Sequence, residues 1–158
     1  MKDTINKLIE ELNSKDGIKR QKARIELVKI GNEAIDPLRK LLSSKEHHTR
    51  WEAIKAIGEI GSSNSIQLFI DLLEDDKFYI RWLAAEGLIN VGQPSIKPLV
   101  SALMKDFESI YLREGTHHVL KYLETRNEYV DNSKIIPALE SYNKYEVLKA
   151  AEDLINTL

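Results

Sequence analysis

RQKARIELVKIG (Arg20–Gly31), RWEAIKAIGEIG (Arg50–Gly61) and RWLAAEGLINVG (Arg81–Gly92) align over twelve positions without a gap. The opening arginine returns after 30 and then 31 residues. Self-similarity at one fixed period marks an array of structural units and is read before any local propensity.

Within each unit the apolar positions Ala53, Ala56, Ile57 and Ile60 are matched by Ala84, Gly87, Leu88 and Val91. That 3, 4, 7 spacing places them on one face of a helix, and Gly31, Gly61 and Gly92 stand where a left-handed C-terminal cap is expected. Between these segments runs a shorter one, opened by Ile5, Ile35, Ile66 and Ile96 and closed near Leu12, Leu42, Leu73 and Leu103. Pro37 and Pro98 fall just inside its start, where a missing N–H costs nothing, and Leu38, Leu41, Leu42, Leu99 and Leu103 supply its buried stripe. Each repeat is therefore a pair of antiparallel helices, too small to be stable alone and stabilised by stacking on its neighbours.

The expected fold is all-α, an α-solenoid of about five such pairs in one domain, 1–158, with repeats near 3–31, 33–61, 64–92, 94–124 and 133–158. The fourth second helix opens at Arg113 and keeps Val119, Leu120 and Leu123 in register, but carries Glu124 where the others have glycine. Residues 124–132, ETRNEYVDN, are polar and read as an enlarged loop; they delay the next start, Ile135 with Pro137, to 39 residues after Ile96. The last helix, Tyr145 to Leu158, is expected to close the stack.

Composition narrows the function. Lys and Arg number 23 against 25 Asp and Glu, a formal charge of −2 that argues against a nucleic-acid or anionic-membrane partner. No apolar run spans a bilayer, and the first residues, MKDTINKLIEEL, are charged throughout, so a cytoplasmic protein without membrane attachment is expected. The absence of cysteine excludes disulfides, thiol nucleophiles and Cys-based zinc sites. His47 and His48, like His117 and His118, are adjacent pairs whose rings diverge by about 100° on a helix and read as surface histidines. No catalytic, cofactor or metal constellation is found; the chain is read as a monomer that is not an enzyme.

Arg50–Gly61 and Arg81–Gly92 resemble the HEAT-like repeats of phycobilisome-lyase type. The resemblance covers residues 3 to about 124 and implies a right-handed stack with the Pro-bearing helices convex and the Arg-bearing helices concave. It also implies that an acidic residue in the turn meets the opening arginine, with Asp75 placed before Arg81, and Asp16 and Glu46 before Arg20 and Arg50. HEAT-like deoxyhypusine hydroxylases hold iron with His-Glu dipeptides, but the matching positions here are Gln21-Lys22, Trp51-Glu52 and Trp82-Leu83. HEAT-like alkylpurine DNA glycosylases are a second analogy, through Trp82 and Glu86 at i, i+4, and a bilin-lyase-like subunit a third.

If the buried arc of the second helix centres on Ala53, Ala56, Ile57 and Ile60, position 51 lies opposite it, flanked by 55 and 58. Across the repeats this stripe reads Gln21, Trp51, Trp82, Glu114; Ile25, Lys55, Glu86, His118; and Val28, Gly58, Ile89, Lys121. Both tryptophans occupy one position in adjacent repeats, about 10 Å apart, and large aromatics in a solvated stripe are interface anchors. The charges around them are mixed. The expected function is a scaffold or adaptor that docks a protein or peptide on the concave face through Trp51, Trp82, Lys55, Glu86, Glu52, Ile89 and His118.

Overall fold

The computed structural model describes residues 1–126 and 131–158, among which every regular element is helical. Four pairs follow in order: α1 (Lys2–Glu11) with α2 (Gly17–Ile30), α3 (Ile35–Lys40) with α4 (His47–Ile60), α5 (Ile66–Leu72) with α6 (Phe78–Val91), and α7 (Ile96–Lys105) with α8 (Ile110–Thr125). A further pair, α9 (Ile135–Ser141) and α10 (Lys144–Thr157), completes the chain. The second helices lie side by side, α2 on α4, α4 on α6 and α6 on α8, while the first helices form the other layer. One continuous core runs between the layers, from Ile5 to Leu154. This is an α-solenoid of HEAT-like helix pairs.

Local chemistry fixes the helix ends. The Asp16 carboxylate accepts from the backbone N–H of Ile18 at 2.8 Å, and the Ser109 hydroxyl from that of Leu112 at 3.1 Å, satisfying orphan donors of α2 and α8. All three glycines after the second helices have positive φ, but only Gly61 adopts the left-handed cap (φ 66°, ψ 28°). Gly31 and Gly92 have ψ of −138° and −148°, a region essentially restricted to glycine. The link to the next first helix explains the difference: three residues separate Gly31 from Ile35 and Gly92 from Ile96, but four separate Gly61 from Ile66. The additional residue, extended Ser62, lets Gly61 close an ordinary cap before the turn.

The opening arginines do not meet the acidic residues of their own turns. Each donates instead to the backbone carbonyl six residues before it: Arg20 to Ser14, Arg50 to Ser44, Arg81 to Asp75 and Arg113 to Phe107. The acidic partners expected from the resemblance are occupied elsewhere, Asp75 by accepting from the Lys77 N–H and Asp16 by capping α2. The guanidinium thus ties the turn between the two helices, donating to a carbonyl that lies beyond the end of the first helix. Its flat face then reaches the next repeat: Arg81 lies 3.9 Å from the Tyr111 ring centroid, and Arg113 5.7 Å from that of Tyr142. Arg81→Met should therefore lower unfolding free energy by about 1–3 kcal/mol, one or two carbonyl bonds plus the ring contact. Urea titration measures it, and Arg81→Lys should restore little because an ammonium cannot span two carbonyls and stack.

The last pair departs from the register. Glu124 replaces the terminating glycine, and α8 runs on to Thr125. Residues 127–130 of the expected 124–132 loop lie outside the described residues; after them, buried Asn132 donates its side-chain amide to the Leu120 carbonyl at 3.0 Å. α9 then packs on α8, whereas α10 packs on α9 and on α7, a first helix. Every earlier second helix rests on the second helix before it, so the last pair has changed layers.

Candidate docking face of the second helices

Four of the seven residues assigned to the face from the sequence, Trp51, Lys55, Trp82 and Glu86, line one open cleft of about 310 Å³ between α4 and α6. Trp82 stands 49% exposed, whereas Trp51 is half-buried against the core. The Lys55 ammonium lies 4.6 Å from the Trp51 ring centroid and covers part of that indole. The indoles do not stack on one another; Trp82 stacks on His118 of the next repeat, centroids 5.3 Å apart and tilted by 46°. His118 Nε2 is 3.7 Å from Glu86 Oε1, so the fifth residue joins the face through α8.

Glu52 and Ile89 do not belong there. Glu52 is 5% exposed and turned toward α2, where it accepts from Arg24 Nε at 2.9 Å and lies 3.7 Å from Arg20 Nε. Ile89 is 2% exposed, and its equivalent in the previous repeat, Gly58, is so close to α6 that an added Cβ would sit 3.3 Å from Gly87 Cα. A second helix in a stack has a neighbour on both flanks, so one flank buries position 52 and the other positions 58 and 89. The open strip slants toward the preceding repeat, and its third residues are Glu59 and Asn90, which are exposed in the cleft.

A second cleft, of about 200 Å³, lies between α6 and α8 at the N-terminal ends of these helices. Phe78, Arg81, Trp82, Tyr111, Glu114 and His118 line it, so Trp82 forms the ridge between the two clefts. Phe78, 69% exposed, precedes Arg81 by three residues, a position outside the aligned twelve-residue segment, and so it escaped the sequence pattern. Arg24 was equally missed, although it carries a legible signal: its register position holds buried Ile54 and Ala85 in the next two repeats. A charge there requires a buried counter-charge, and Arg24 finds both Glu52 and Glu59.

The histidine pairs do not converge. His47 Nδ1 lies 3.3 Å from the Tyr79 hydroxyl, while His117 Nε2 is 3.2 Å from Glu140. Hydrogen bonding by His117 and then Lys121 holds the Glu140 carboxyl below the usual carboxylate range, and Lys144 does the same for Glu108. Among the described residues no group of three or more His, Asp or Glu is placed to hold a metal ion, and no helix is long and apolar enough to cross a membrane.

A family profile described as HEAT repeats matches residues 5–89. Curated proteins show no match. Of solved structures, an engineered protein of the Northeast Structural Genomics Consortium aligns at 19% identity over 96% of this chain and 77% of its own, with a TM-score of 0.46. A designed armadillo repeat protein aligns at 18% identity over 98% of this chain and 99% of its own, with a TM-score of 0.42.

Proposed function

The chain belongs to the HEAT-repeat family, and from that premise we propose that it is a non-catalytic scaffold or adaptor whose second helices dock a segment of a protein partner. The observation that carries this reading is Trp82. An indole standing half in water on the ridge between two clefts stabilises nothing by its exposed part, and large exposed aromatics bordered by polar groups are what binding hot spots use. Glu59, Glu86 and Glu114 along the same strip disfavour a phosphate backbone as the ligand.

Peptides selected from a random display library on the folded chain are expected to lose binding to the Trp51→Ala, Trp82→Ala double variant. The helical circular-dichroism spectrum should be retained, because Trp82 is half exposed and Trp51 borders the core without being enclosed by it. Undiminished binding by the double variant would refute the assignment.

A further inference from the structure

The surface beyond Trp82 has a pattern more specific than an apolar face. Glu114, on the exposed side of α8, stands between two sockets. One is the α6/α8 cleft, walled by Phe78, Trp82 and Tyr111; the other, of about 140 Å³, lies between α8 and α9 and is walled by Ile110, Leu139 and Tyr142. Three of these walls are far more open than side chains of their size usually are: Phe78 69%, Ile110 58% and Tyr142 68% exposed.

The carboxylate between the sockets has no direct partner among the described residues. Glu114 makes no hydrogen bond or ion pair with any described residue. Neither of the two arginines beside it pairs with it: Arg81 donates Nη1 to the carbonyls of Asp75 and Asp76 and lies over the Tyr111 ring, and Arg113 donates Nη1 to the Phe107 carbonyl and faces the Tyr142 ring. His118 leans on Trp82 and toward Glu86, and His117 and Lys121 both serve Glu140. The ligand-facing order is therefore apolar socket, free carboxylate, apolar socket.

We propose that this surface recognises an extended segment of a partner protein in which one lysine or arginine is flanked by two apolar side chains. Glu114 takes the cation and each socket takes an apolar side chain. Packed helices lie about 10 Å apart, so the two grooves flanking α8 match one turn of a polyproline II segment, about 3.1 Å per residue and about three residues per turn; the apolar side chains then stand at i and i+3 on one face with the basic residue between them. An acidic or phosphorylated residue held between the two apolar side chains would meet Glu114 with like charge. The inference rests on the docking function above and adds its ligand's chemistry.

The test uses two fluorescein-labelled peptides, Gly-Ser-Phe-Ser-Lys-Phe-Ser-Gly and the same sequence with Glu in place of Lys, titrated with the full chain by fluorescence anisotropy. The lysine peptide is expected to bind about tenfold more tightly than the glutamate peptide. Glu114→Gln, a change at an exposed helix position, should bring the two within about twofold, and Trp82→Ala should remove binding of both. Equal affinities on the wild-type chain, an unchanged preference in Glu114→Gln, or no saturable binding of either peptide would overturn the proposal. So would a mass by light scattering that shows a dimer dissolved by Trp82→Ala, which would make the sockets a contact between copies. If library-selected peptides depend on Trp51 and Trp82 but not on Glu114, the docking function stands and this inference falls.

Discussion

Arg24→Ile is expected to destabilise the stack by about 3–5 kcal/mol, and adding Glu52→Leu to restore most or all of the loss. Arg24 is 7% exposed and Glu52 5%, and they meet at 2.9 Å between α2 and α4. Removing the guanidinium leaves Glu52 buried with only Arg20 Nε, 3.7 Å away, for company. An ionised carboxylate taken from water without a close partner is the costly half of a broken buried pair, whereas an apolar pair of similar volume carries no desolvation penalty. The same interface shows that the apolar solution fits. In the next junction Ile54 and Leu83 hold the positions of Arg24 and Glu52, both buried. The double variant Arg24→Ile, Glu52→Leu thus copies one junction onto another. Thermal unfolding would register the single change as a fall of about 6–20 °C at the sensitivity of about 2–4 °C per kcal/mol for a chain of this size. A single variant within about 1 kcal/mol of wild type would mean that water or Arg20 replaces Arg24 at Glu52.

The ion pair also marks the boundary of what a single sequence discloses. The repeat was legible because Arg20, Arg50 and Arg81 tie the same turn and Gly31, Gly61 and Gly92 end the same helix with positive φ in the first three units. Trp51, Lys55, Trp82 and Glu86 were legible because they lie on the solvent side of their helices, lining the open cleft. Glu52 and Ile89 were misplaced because a helical wheel describes one helix in isolation, and burial here is decided by helices on both flanks. The layer change of α10 had no local signal at all: its pattern of Val147, Ala150, Ala151 and Leu154 specifies a buried face but not which helix covers it. The arginine partners were missed for a related reason, since a carbonyl oxygen is present at every position and leaves no mark in the sequence.

Gly87→Ala should cost about 2–3 kcal/mol, although the same change at an exposed helix position would stabilise by up to about 1 kcal/mol. Two effects of opposite sign meet at this residue, and the distance decides between them. A Cβ on Gly87 would lie 2.6 Å from Cε1 and Cζ of the Phe69 ring, well inside van der Waals contact. Phe69 is fully buried, and a Cβ built on Gly58 of α4 would lie 3.8 Å from the same ring's Cζ, so the ring cannot swing aside without displacing its neighbours. The preceding repeat solves the same packing with different volumes, Leu38 and Ala56 standing where Phe69 and Gly87 stand here. Phe69→Leu alone removes a buried ring and leaves a void; Gly87→Ala alone forces an overlap; the two together recreate the Leu38–Ala56 combination. Urea unfolding of all four forms should yield a coupling free energy of about 1–3 kcal/mol, with the double variant more stable than Gly87→Ala by itself. Strict additivity would show that the ring has room to move, and that the close approach of α4 to α6 is not what confines it.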